Sequence, residues 1–168
     1  STDMVISVHC EDEATIKKNL AKYKAEYGDN IPMDKHPIIR SEEACYLSSS
    51  KAIELAKKTG ARLHVFHLST GKETKLFSNK IPLKDKKITA EVCIHHLWFS
   101  DKDYATKGSH IKWNPAVKTS KDRVAAAKDF FPVLKTLVVP ILPEPIFRIS
   151  LSKNIFVTIN PNGIEPNI

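Results

Sequence analysis

MVISVHCEDE at residues 4–13 and RLHVFHLST at residues 62–70 decide the fold. Each is a short apolar run of strand type that stops on a histidine and passes into polar residues. Between them lie two stretches of helical period. Ile16, Leu20, Tyr23 and Tyr27 recur at i, i+4, i+7 and i+11 with lysines between them, and Gly28 ends the pattern. Residues 29–40 carry two prolines and read as a loop. Ser41 is placed as an N-cap, Glu42 and Glu43 suit the positive end of a helix dipole, Ala52, Leu55 and Ala56 give a buried stripe, and Gly60 is a C-cap. Beyond the second strand we expect a short helix over 70–79 and a third strand over 88–93, ITAEVC, with His95 and His96 just past its end. The order strand, helix, helix, strand, helix, strand predicts an α/β fold with parallel strands joined by helical crossovers.

The chain has 168 residues, 42% hydrophobic and 27% charged, a balance typical of a globular domain with a real core. No apolar run approaches the roughly 18 residues that suggest a membrane span, and no segment resembles a secretory leader. Cys10, Cys45 and Cys93 are odd in number, lie in apolar settings and form no Cys-x-x-Cys, so we expect free thiols in a reducing, cytoplasmic setting. The net charge is +7, but the lysines alternate with acids and make no stripe interleaved with aromatics. That pattern solvates helix faces and argues against a nucleic-acid partner.

In parallel α/β barrels the working residues sit at the C-terminal ends of the strands. His9 and His67 both hold that position. Neutral imidazole is the commonest protein metal ligand, and two strand-end histidines on one face can converge on an ion that no single loop would hold. A single histidine at a strand end is more often a hydrogen-bonded core or loop residue. His64, on the same strand as His67, is a competitor. His95 and His96 are adjacent, so at most one faces a shared site. His36 and His110 lie in loop contexts, where solvent exposure is expected.

VHCEDE at 8–13, HVFHLST at 64–70, TAEVCIHHL at 89–97 and KWNPAVKTSKDR at 112–123 occur in that order. Together they resemble the dihydroorotases of the cyclic-amidohydrolase superfamily, the bacterial type I enzymes in particular, over about residues 4–123. The resemblance implies part of a metal-dependent (β/α)₈ TIM barrel that interconverts N-carbamoyl-L-aspartate and L-dihydroorotate in pyrimidine synthesis. It implies His9 and His67 as ligands of one metal, zinc by preference, in an enzyme that carries two ions when complete. It implies Asn114 as a contact of the dihydroorotate ring, and small-molecule partners only. It gives His95 and His96 no direct role at the metal.

The family's His-x-His, its bridging carboxylate (Asp or carboxylated Lys) and its catalytic Asp have no counterpart in the sequence, so no catalytic residue is assigned. Residues 1–123 are read as the amidohydrolase barrel segment. Residues 124–168 are read as a strand-rich tail outside the family pattern, foreign or altered in frame in preference to natural degeneration. Alternatives are a hydantoinase- or allantoinase-type hydrolase, or a non-catalytic amidohydrolase-like module whose exposed strand edges favour a homo-oligomer. The 168-residue chain alone is expected to bind zinc weakly at best and to leave dihydroorotate unhydrolysed in a steady-state assay. Measurable turnover would contradict this.

Overall fold

Strands β1 (Val5–Val8), β2 (Arg62–Val65) and β3 (Ile88–Ala90) form a parallel sheet in the order β1-β2-β3. The computed structural model describes residues 3–78, 80–130, 148–151 and 155–158. Its first compact unit, Ser1–Pro132, holds the three-stranded sheet and its helices. In the second unit, Val133–Ile168, strands β4 (Arg148–Leu151) and β5 (Ile155–Thr158) pair antiparallel. The division expected after residue 123 falls inside a helix, and the first unit continues to Pro132.

The helices of the first unit are α1 (Glu13–Tyr27), α2 (His36–Ile39), α3 (Glu42–Thr59), α4 (Gly71–Thr74), α5 (Ile94–Trp98), α6 (Tyr104–Lys107) and α7 (Ser120–Phe130). Their ends follow from local chemistry. Asp12 caps α1 by accepting from the Thr15 amide at 2.8 Å and the Thr15 hydroxyl at 2.6 Å, contacts that hold its carboxyl below the ordinary range. Gly28, at φ +62°, donates its amide to the Lys24 carbonyl and ends the helix. Ser41 Oγ accepts from the Ala44 amide at 3.2 Å to open α3. Gly60 closes α3 in the left-handed conformation, where a Cβ would be strained.

Helix α3 packs across the sheet. Ile53 and Ala56 meet Leu63, Val65, Leu68 and Cys10 in one buried cluster, with Phe130 of α7 against its side. Each large apolar side chain removed from water there contributes about 1.5–3 kcal/mol. Ile16 of α1, Ile39 of α2 and Ala44 of α3 make a second cluster; Tyr104, Ile111 and Val117 make a third beneath the loop that carries Asn114. The helix expected over 70–79 shortens to the single turn of α4, and the strand expected over 88–93 shortens to three residues. Glu91 keeps sheet-like backbone hydrogen bonds.

Helix α4 lies against α7 so closely that Gly71 has no room for a side chain. A Cβ there would stand 2.6 Å from the Ala125 Cβ, while the Gly71 amide donates to Asp122 at 2.9 Å. Gly71→Ala is therefore expected to destabilise the first unit by about 1–3 kcal/mol through overpacking. A urea midpoint unchanged from the parent chain would contradict this.

Candidate functional site

The sheet register carries the site. Val8 pairs with Val65, and the Phe66 amide donates to the Val8 carbonyl at 3.0 Å. Two more backbone bonds run to the third strand, from Leu68 N to Glu91 O at 2.9 Å and from Glu91 N to Val65 O at 3.1 Å. These rungs fix residues 66–68 between the ends of β1 and β3. His67 adopts φ +37° among them, a conformation rare for a side-chain-bearing residue.

That backbone brings His9 and His67 together. His9 Nδ1 faces His67 Nε2 at 3.1 Å, with the rings edge to face and centroids 4.9 Å apart. Burial and the neighbouring His9 hold the His67 imidazole below its ordinary value, so it is neutral at pH 7. On its far side His9 Nε2 lies 3.0 Å from Glu11 Oε2, and the same oxygen accepts from Arg40. The Glu11 side chain is only 2% exposed.

Beneath the pair, Glu73 gathers the chain after His67. It accepts from the Ser49 hydroxyl at 2.6 Å, the Thr70 hydroxyl at 2.9 Å and the Ser69 amide at 3.4 Å. Burial pushes its carboxyl upward against the effect of those donors. Cys45, fully buried 3.6 Å from the Ser69 hydroxyl, is pushed up to about 12 by burial and is an inert thiol. Cys10, Cys45 and Cys93 are all free.

The other histidines divide sharply. His64 does not join the pair: its Nδ1 contacts the Thr89 hydroxyl at 2.8 Å and its Nε2 stands 3.4 Å from Glu91. His95 stacks on Trp113 with centroids 4.1 Å apart, and burial and then His67 lower its imidazole. His96 turns the other way, donating through Nε2 to the Pro115 carbonyl at 3.0 Å, and burial pushes it down to about 3. His36 is buried, contrary to expectation, because its Nε2 donates to the Trp113 carbonyl at 2.8 Å and its ring packs on Tyr104. His110 is exposed. Asn114 is exposed between Trp113 and Pro115, on the segment that His36 and His96 tie down from both sides.

The two facing nitrogens suit one divalent ion. Ligands at about 2.0–2.1 Å in a tetrahedral arrangement stand about 3.3 Å apart, close to the separation seen here. Among the described residues no group of three or more His, Cys, Asp or Glu side chains is placed to hold a metal. Among the same residues no helix is long and apolar enough to cross a membrane. Sequence reading singled out His9 and His67, which the fold brings face to face. It missed Glu11, Arg40 and Glu73, of which only Glu11, inside the CEDE cluster, lay beside a residue already singled out.

No protein-family model matches the chain. Curated relatives do. It is 36% identical over 115 residues to a dihydroorotase of Carboxydothermus hydrogenoformans, a match covering 67% of this chain and 25% of that protein. It is 31% identical over 119 residues to an allantoinase of Bacillus velezensis, covering 71% and 26%. Among solved structures, the L-hydantoinase of Arthrobacter aurescens superposes with a TM-score of 0.65 at 23% identity, over 73% of this chain and 27% of that one. The chain thus spans about a quarter of the length of the relatives it matches, and its first unit has the fold of part of an amidohydrolase TIM barrel.

The histidine environments predict a pH dependence. His96 moves from an ordinary 6.5 when unfolded to about 3 when folded, so the stability it carries is complete above about pH 6.5 and drains as pH falls toward 3. The loss from this group reaches as much as about 3 kcal/mol by pH 4. His36, also lowered by burial, acts with the same sign. Urea midpoints measured from pH 7 to pH 4 should fall, and should fall less steeply in His96→Gln. Parallel slopes for the two proteins would refute the assignment.

Proposed function

We propose that this partial, dihydroorotase-like chain supplies one half of the metal centre and part of the substrate pocket of a cyclic-amide hydrolase, with L-dihydroorotate and N-carbamoyl-L-aspartate as its substrate pair. The observation that carries the proposal is the pair of imidazole nitrogens, His9 Nδ1 and His67 Nε2, facing each other at 3.1 Å from the ends of two adjacent parallel strands. The sequence likeness to dihydroorotases supports this substrate pair.

His9 and His67 would hold a zinc ion, one of two in the complete enzyme. When bound, such an ion polarises the ring carbonyl and lowers the pKa of a coordinated water toward 7. The protein's own contributions are positional. The backbone rungs around Phe66 and Leu68 and the Glu73 cluster hold His67 in place before any ion arrives. Asn114 presents an amide that both donates and accepts, the pattern needed to grip the imide edge of a dihydroorotate ring. His95 stacks on Trp113, the residue before Asn114. The proton-carrying carboxylate is not assigned to any residue of the chain. The free thiols, with Cys10 and Cys45 buried, suit a reducing, cytoplasmic setting.

A second reading, a hydrolase of allantoin or of hydantoins, is favoured by the allantoinase match and the hydantoinase superpositions. The same two histidines would serve it, and only the ring-contacting residues would differ.

Protein expressed from the complete reading frame that contains these residues, and loaded with zinc, should hydrolyse L-dihydroorotate faster than allantoin or hydantoin. His9→Ala and His67→Ala should each abolish turnover and remove zinc by elemental analysis. Asn114→Ala should raise KM about tenfold or more while leaving the zinc content intact, the loss of one or two hydrogen bonds to substrate. Preferential turnover of allantoin would select the second reading. Full zinc content in both histidine variants would remove the metal assignment altogether.

A further inference from the structure

Residues 113–118 run between the turn that ends at Ile111 and helix α7, and they belong to none of the described strands. Without a sheet partner their carbonyls need other donors. Trp113 O accepts from His36 Nε2 at 2.8 Å, and Pro115 O from His96 Nε2 at 3.0 Å. Ala116 O accepts from Lys118 Nζ at 3.0 Å, Val117 O from the Tyr104 hydroxyl at 3.4 Å, and Lys118 O from the Asp101 amide at 2.8 Å. The exception is Asn114. Neither its backbone nor its side chain makes a hydrogen bond among the described residues, and it is exposed while residues 115–118 are buried. An asparagine in a turn commonly folds its amide back onto nearby backbone. This one does not: its neighbours are pinned, and it is left displayed.

His36 makes the shortest of these side-chain ties and comes from farthest away, 77 positions back in the chain. It is itself fixed. Ile39, in the same turn of α2, is buried against Ile16 and Ala44, and Asn19 Nδ2 donates to the Ile38 and Ile39 carbonyls at 3.2 and 3.1 Å. The His36 ring meets Tyr104 edge to face, with centroids 6.3 Å apart, so the donors that hold Trp113 and Val117 also brace each other. We propose that His36, seconded by Tyr104, is a positioning residue for Asn114: it acts through the 113–117 backbone to keep the Asn114 amide presented, and so sets the affinity for a ring that offers a neighbouring N–H and C=O. The ligand class rests on the substrate reading above; the hold on the segment does not. In the described contacts neither His36 nor Tyr104 touches His9 or His67, so the effect falls on ring binding and leaves the histidine pair as it is.

The hold is read by ¹⁵N relaxation of the full labelled chain with no ligand added. The Asn114 backbone amide should show an order parameter of about 0.85, the value of rigid backbone. His36→Phe keeps a ring and removes the donor, and should drop that value below about 0.6. His36→Gln restores an N–H at similar reach and should recover most of the order. An unchanged value in His36→Phe, or an Asn114 already flexible in the parent chain, overturns the proposal. Tyr104→Phe removes only a hydroxyl and should shift Asn114 the same way by less; if His36→Phe does not fold, this variant decides, and no shift overturns the proposal. In the zinc-loaded protein of the complete reading frame, His36→Phe should raise KM for L-dihydroorotate about threefold to tenfold, with kcat within about twofold and zinc content unchanged. A merely structural role would lower the folded fraction, and with it kcat, and leave KM as it was. Added to Asn114→Ala, His36→Phe should raise KM no further, because both act through one contact; an additive effect overturns the positioning role. If Asn114→Ala itself leaves KM unaltered, the substrate contact falls while the relaxation data still decide whether His36 holds the segment.

Discussion

The parallel pairing of β1 with β2 is the constraint on which the rest depends. Val8 opposite Val65 sets His9 and His67 just past the two strand ends, at the height where their rings meet. Because side chains alternate along a strand, a slip of one residue would turn Leu63 and Val65 out of the core and the histidine pair apart together. The apolar cluster under α3 and the histidine pair are therefore specified by one register, and the energy that holds the first also holds the second.

Around that register the molecule adds polar supports of a different kind. Glu73 ties the chain following His67 to α3 through Ser49, and Asp122 ties the same turn to α7 through the Gly71 amide. His36 and His96, both buried and neutral, fasten the two sides of the Trp113–Pro115 segment. Four buried polar groups thus position two loops that carry the exposed chemistry. A buried polar group with its partners in place admits few alternative geometries, which suits residues whose task is to hold others still.

Much of this was legible in the sequence. The strands at 4–9 and 62–67, the helix ended by Gly28 and the Ser41 and Gly60 caps depend on local chemistry, and short-range patterns report local chemistry well. The candidate ligands were legible for the same reason: each ends an apolar run. What was not legible depended on contacts distant in the chain. Arg40 reaches Glu11 across 29 positions, and His36 reaches Trp113 across 77, so a residue read as an exposed loop histidine is in fact a buried tie. The helix expected over 70–79 failed because its first turn is consumed by Glu73 and by the close approach of α7, which favour one capped turn over a continuing helix.

The positive φ of His67 has a consequence for how such a chain can be altered. A side chain in that region of backbone space costs on the order of 1–2 kcal/mol that glycine would not. Selection of variants for robustness alone, by heat or protease, would reward glycine at this position and erase one of the two facing imidazoles in the same step. Persistence of histidine there under random mutagenesis would be a signature of selection for binding, because the fold by itself pulls the other way.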